Sequence, residues 1–160
     1  MEIVVVYHSE SGNTKEVAEL IQKGANKVAE IEAKTLDIKE FKRGDLKNAK
    51  AVIFGSPTYI GDISWQLKSF FGQNKLNLKG KIGAVFATEN FLGGGADSAL
   101  ITIIKHLLVQ GMLVYSGGAA AGKPYTHFGA VCIQNGDQEQ QQRAEIFGER
   151  IAQKTQEIFA

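Results

Sequence analysis

The chain has a single cysteine, Cys132, so no internal disulfide can brace it. It has no excess of either charge: 18 basic and 17 acidic residues leave a net charge of +1. That balance offers no electrostatic footprint for nucleic acid, and no basic run reads as a membrane-surface segment. No apolar run approaches the length of a membrane span. The first residues enter a strand pattern at once, leaving no room for a signal peptide. These absences lead to the expectation of a cytoplasmic protein without nucleic-acid or membrane partners. No cluster of His, Cys, Asp or Glu has metal-ligand spacing, so no metal site is expected. Cys132 itself lies in the apolar run Ala130-Val131-Cys132-Ile133, the setting of a buried, inert thiol. At 160 residues, 44% of them apolar, the chain suits one well-buried core and a single domain over 1–160.

What is present alternates. Glu2-Ile3-Val4-Val5-Val6-Tyr7 reads as a buried strand, and Val17, Leu20, Ile21, Gly24 and Val28 mark a helix after it. Ile31 to Leu36 alternates like an edge strand, and Lys50 to Gly55 is a short apolar strand that stops at Ser56-Pro57. Ile63, Leu67, Phe70 and Phe71 fall at helical spacing. Lys81 to Ala87 is another buried strand, followed by a helix with Leu100, Ile103, Ile104, Leu107 and Leu108 on one face. Met112 to Tyr115 and Ala130 to Ile133 are two further strand-like pieces, separated by a Gly- and Ala-rich excursion. The last helix runs from about Gln138 to Ile158 and buries Ala144, Phe147, Ile151 and Ala152. Strands alternating with helices imply an α/β fold whose parallel sheet is covered on both faces.

Ligands of such folds bind beyond the carboxyl ends of the strands. The segment after the first strand, His8-Ser9-Glu10-Ser11-Gly12-Asn13-Thr14, places hydroxyl donors at the start of a helix, where unpaired N–H groups and the positive dipole end attract an anion. It lacks the Gly-Lys-Ser/Thr ending of a nucleoside-triphosphatase loop and the three spaced glycines of a dinucleotide fingerprint. A phosphate monoester held by neutral donors therefore fits it. Asn13 and Glu16 are also spaced as a capping box, which would explain the same residues without any ligand. After the third strand comes Ser56-Pro57-Thr58-Tyr59-Ile60-Gly61-Asp62. After the fourth comes Thr88-Glu89-Asn90-Phe91-Leu92-Gly93-Gly94-Gly95. All three segments should meet at one rim, offering a phosphate site and the aromatic rings of Tyr59 and Phe91.

On these residues the chain resembles the flavodoxin-like FMN-binding family. Ser9-x-Ser11-Gly12-x-Thr14 is similar to the flavodoxin phosphate loop, and Gly61-Asp62 sits where flavodoxins carry a Gly-Asp pair beside the flavin. Within that superfamily, Ser56-Pro57-Thr58-Tyr59-Ile60-Gly61, Gly93-Gly94-Gly95, Leu107-Leu108-x-x-Gly111-Met112 and His127-Phe128-Gly129-Ala130 look most like the NAD(P)H:quinone oxidoreductases once named tryptophan-repressor-binding proteins. That group usually has an aromatic where Ile60 stands and a histidine where Gln110 stands. The resemblance implies a flavodoxin-like three-layer sandwich whose five-stranded parallel sheet has the order 2-1-3-4-5. It implies that Ser9, Glu10, Ser11, Gly12, Asn13 and Thr14 hold the FMN phosphate. Pro57, Thr58, Tyr59, Ile60 and Gly61 would then frame the isoalloxazine together with Thr88, Glu89, Asn90, Phe91, Gly93 and Gly94. Gly61 would face flavin N5, Phe91 would act as a gate, and His127 would approach the substrate side.

Two functions follow from the resemblance. The first is an FMN enzyme that takes hydride from NAD(P)H and reduces a quinone-like acceptor, with a homo-oligomer as one expected form, since the resembling enzymes are tetrameric. The alternative is a flavodoxin proper, an electron carrier that docks on redox protein partners. Flavodoxins are usually strongly acidic, so near-neutrality points to the reductase. An aromatic such as Phe91 shielding the flavin points to the carrier. The balance of these signals favours the reductase.

Overall fold

Alternation decides how the central sheet divides its side chains. In β1 (Glu2–Tyr7), Ile3, Val5 and Tyr7 face one side, and Val4 and Val6 face the other. The computed structural model describes residues 1–160. The elements after β1 are α1 (Asn13–Ala25), β2 (Glu32–Asp37), β3 (Ala49–Tyr59), β4 (Asp62–Ile63) and α2 (Trp65–Gln73). They continue with β5 (Ile82–Glu89), α3 (Ala96–Val109), β6 (Leu113–Val114), β7 (Ala130–Ile133) and α4 (Gln138–Phe159).

The sheet runs β2-β1-β3-β5-β6, with β7 also on β5, and all these pairs are parallel. This is the expected 2-1-3-4-5 order with its fifth place shared. β6 pairs with the start of β5 at Ile82 and Gly83, and β7 pairs with its end from Phe86 to Glu89. The excursion between β6 and β7 thus splits one edge strand into two pieces. β4 adds a short antiparallel hairpin on β3 beyond the main sheet.

Two apolar layers follow from the alternation. α1 and α4 cover one face through Val17, Ile21, Phe147 and Ile151. α2 and α3 cover the other through Leu67, Phe71, Leu100, Ile103 and Leu107. α1 and α4 cross closely because glycine stands at both contact points. A Cβ on Gly24 would lie 1.8 Å from the Glu145 carbonyl oxygen, and one on Gly148 would lie 2.0 Å from that of Ile21. No helix is long and apolar enough to cross a membrane.

Several expectations need correction. β3 does not stop at Ser56-Pro57 but runs on to Tyr59. The Gly55 carbonyl faces β1, where it accepts from His8 N at 3.3 Å. Residues two apart in a strand point the same way, so an N–H at residue 57 would aim past the end of β1. Proline loses no ladder bond there. Ile63 belongs to β4 rather than to a helix, although it is buried in the layer under α2. Leu108 is exposed rather than part of the buried face of α3.

Candidate functional site

Strands β1, β3 and β5 end side by side, and the segments after them touch pairwise. The Thr14 and Thr88 hydroxyls lie 2.8 Å apart and buried, joining the first segment to the third. The His8 ring meets Tyr59 edge-on with centroids 6.3 Å apart, joining the first to the second. A Cβ on Gly95 would stand 2.7 Å from Gly61 Cα, so the second and third approach closely only because Gly95 has no side chain. One rim therefore gathers the three segments that the sequence reading placed there.

The start of α1 is uncapped. Its N-cap is Gly12 at φ 100°, with no side-chain capping bond. The capping-box reading of Asn13 and Glu16 is thereby overturned. Glu16 turns away and accepts from Asn135 Nδ2 at 2.8 Å. The Ser9 hydroxyl oxygen accepts from Gly12 N at 3.1 Å, which closes the loop into a concave turn. The amides of Ser11, Asn13, Thr14 and Lys15 find no acceptor in the protein. Unpaired amides at a positive dipole end form an anion cradle. Ser9 keeps its own proton to donate. The Thr14–Thr88 pair spends one hydroxyl proton on its mutual bond and retains the other.

Beside the cradle, His8 is fully buried and its Nε2–H donates to Glu10 Oε1 at 2.8 Å. Lys39 Nζ lies 3.3 Å from the same oxygen. Hydrogen bonding from His8, then from Lys39, holds the Glu10 carboxyl below its ordinary range. A carboxylate pinned in this way is an acceptor and is occupied, so Glu10 shapes the loop rather than donating to an anion. Burial, and then the Glu10 charge, pushes the Tyr59 phenol above its usual value and keeps it a neutral donor.

The second segment is a two-residue hairpin between β3 and β4. Ile60 and Gly61 both lie in the left-handed region, at φ 51° and 73°. A β-branched residue there is strained by roughly 1–2 kcal/mol, and Ile60 is also completely exposed. That strain is not offset by any packing of the Ile60 side chain. Just below it, the buried Thr58 hydroxyl has no partner in the protein. That orphan fits a ligand with a polar edge laid across the rim.

In the third segment, Glu89 is buried and its Oε2 accepts from Ala96 N at 3.1 Å, fastening the start of α3. Its side chain is thus a support for the loop. Gly93 and Gly95 adopt φ 82° and 99°. A Cβ on Gly94 would stand 3.0 Å from the Phe91 carbonyl oxygen and 3.1 Å from Glu89 Cβ. Gly94 and Gly95 are accordingly required by close packing, and Gly93 by its left-handed backbone. Asn90, Phe91 and Leu92 project from this loop and are exposed.

His127 is not among the rim segments. It lies on the excursion between β6 and β7, exposed, where its carbonyl accepts from Ser116 Oγ at 2.6 Å. It lines a small pocket with Asp97 and Leu100 at the start of α3. The sequence reading missed a fourth rim segment, Gln134 to Asp137 after β7. Gln134 N donates to the Glu89 carbonyl at 2.7 Å, and Asn135 reaches Glu16. The pairing Gln134-Asn135-Gly136 at a strand end was the signal that could have marked it. Cys132 is fully buried and its thiol is pushed up to about 11 by that burial, so it takes no part. No cluster of His, Cys, Asp or Glu suited to a metal is present.

An anion cradle, two flanking aromatics and an orphan hydroxyl suit a phosphate monoester joined to a planar polar ring. Comparisons with known proteins agree with that geometry. Residues 4–92 match the family described as flavodoxin domain. A flavodoxin of Clostridium saccharobutylicum is 46% identical over 99% of this chain and 100% of its own length. An NAD(P)H dehydrogenase (quinone) of Archaeoglobus fulgidus is 28% identical, covering 98% of each chain. Among solved structures, a flavodoxin from the domain Archaea superposes with a TM-score of 0.79 at 28% identity, covering 98% of this chain and 99% of that one.

Proposed function

The chain belongs to the flavodoxin family, and from that premise we propose that it binds FMN at the three-segment rim and carries electrons between protein partners. When bound, FMN supplies reversible one-electron and two-electron chemistry at its ring. The chain's own residues bind and orient it. The free amides of Ser11, Asn13, Thr14 and Lys15, with the Ser9 and Ser11 hydroxyls, would hold the phosphate against the start of α1. Tyr59 and Phe91 would flank the ring, and the Thr58 hydroxyl would gain the partner it lacks. Gly61 has open space where a Cβ would stand, so its peptide can present either its carbonyl or its N–H to the ring edge at small cost. Glu89, locked to Ala96, keeps the third segment in place while this happens.

The observation that carries the carrier reading over the reductase reading is the whole-length likeness. The Clostridium flavodoxin aligns from end to end, over 160 residues. The alignment with the Archaeoglobus quinone dehydrogenase stretches over 188 positions, so that relative has segments for which this chain has no counterpart. The carrier thus takes precedence over the reductase favoured from sequence. Anaerobic mixing of the FMN-loaded protein with NADH, and separately with NADPH, tests it. The expected outcome is no bleaching of the flavin absorbance by either nucleotide, with full bleaching by dithionite. Rapid bleaching by a nicotinamide, together with turnover of a soluble benzoquinone, would restore the reductase.

A further inference from the structure

The far end of the sheet carries a charge pattern that the total of +1 conceals. The crossover between β2 and β3 brings Lys42, Arg43 and Lys47 to the amino ends of β3 and β5, where β3 itself carries Lys50, and the segment after α2 adds Lys75, Lys79 and Lys81. The two stretches form one surface: Lys81 Nζ donates to the Lys47 carbonyl at 3.0 Å, and Lys47 lines clefts on both sides of the junction. None of these seven cations is in an ion pair. Lys15, Lys23, Lys27, Lys34 and Lys39 elsewhere on the molecule each have a carboxylate within reach. The crossover carries two carboxylates: Asp45, half-exposed, accepts from Lys42 N at 2.7 Å, and Glu40 is exposed just before Phe41. Glu2, the nearest acid on β1, is engaged by Lys34 at 3.0 Å. Burial, and then the charge of Lys50, holds the Lys81 ammonium below its ordinary value, with Glu2 opposing them.

The larger cleft has a volume of about 680 Å³, within the usual range for sites that hold small molecules. Its floor is apolar, formed by Phe41, Leu46 and Leu76, and its rim carries Arg43, Lys47 and Lys75 with no acidic residue. Gln73 and Asn77 also line it, both exposed. An apolar floor under three unpaired cations matches a ligand with a flat, weakly polar body and several negative charges. We propose that this cleft binds a nucleoside polyphosphate, its base on the Phe41, Leu46 and Leu76 floor and its phosphates on the cationic rim. The cleft shares no residue with the FMN rim and lies at the opposite ends of the strands, so the assignment stands apart from the proposed function.

Calorimetric titration of the protein, with excess FMN present to fill the α1 cradle, tests the assignment. The probes are ATP, tripolyphosphate and adenosine at low salt. ATP is expected to bind more tightly than tripolyphosphate, and adenosine to show no binding. The variant R43E/K47E/K75E should lose about 100-fold in ATP affinity, each exposed charge contact contributing roughly fivefold, with its flavin spectrum unchanged. Amide chemical shifts should move at residues 41–47 and 73–77. Equal or tighter binding of tripolyphosphate would overturn the nucleoside and leave a charge patch alone. ATP binding unaltered in the variant, or shifts confined to residues 9–15, would overturn the site. Failure to bind ATP with binding to phosphatidylglycerol vesicles would replace the proposal with a lipid surface.

Discussion

Thr14 and Ser11 stand three residues apart at the start of α1 and are expected to answer mutation differently. Thr14 is buried against Thr88. Thr14→Ala removes a donor to the FMN phosphate and also strands the Thr88 hydroxyl, at about 1–3 kcal/mol of stability in the FMN-free chain. Ser11 is exposed, so Ser11→Ala should leave stability within about 0.5 kcal/mol while weakening FMN binding by roughly 1–2 kcal/mol. Urea unfolding of the FMN-free chain, paired with fluorescence titration of FMN, separates the two effects. Equal stability losses in both variants would mean that the Thr14–Thr88 bond carries no weight. At this scale the sequence was legible where a residue type has one use. Ser9, Ser11, Gly12 and Thr14 came together as the spacing suggested. Glu10, Glu16 and Glu89 were opaque, because a carboxylate's partner is set by tertiary neighbours: His8 and Lys39 for the first, Asn135 for the second, Ala96 N for the third.

The crossing of α1 and α4 sets the angle at which the α1 cradle meets the sheet. Gly148→Ala raises helix propensity by about 1 kcal/mol, yet its Cβ would enter the Ile21 carbonyl at 2.0 Å. Moving one helix off the other costs more than the propensity gains, so a net loss of about 2 kcal/mol is expected. The shift of the urea midpoint measures it, and an increase in stability would show that the crossing has slack. Periodicity revealed these helices, the buried face of α4 and, Leu108 apart, that of α3, since each repeats over several turns. It did not reveal how β3 ends. Pro57 reads locally as a stop, and only the shorter reach of β1 shows that its missing N–H has nothing to bond. Nor did periodicity reveal that Gly94 and Gly95 pack closely against Glu89, Phe91 and Gly61.

Over the whole molecule, composition was the least informative signal. A net charge of +1 disfavours a carrier only as a sum, and a sum carries no positions. With seven unpaired cations gathered at the far end, the rest of the chain holds an acidic excess, and the rim itself presents Glu10, Asp62 and Asp97 as exposed acids. The order of the sheet was legible because strands and helices alternate in register with the chain. The split of its edge between β6 and β7 follows the excursion, whose carbonyls at Ala121, Gly122, Lys123 and Pro124 all accept from Arg150 on α4. FMN binding at this rim depends on the uncapped start of α1 as a phosphate cradle. The most direct test is a fluorescence titration of the flavin-free protein with FMN and with riboflavin, which differ by that phosphate alone. FMN is expected to bind at least 100-fold more tightly, the equivalent of about two charge-assisted hydrogen bonds. Equal affinity for the two flavins would contradict the account.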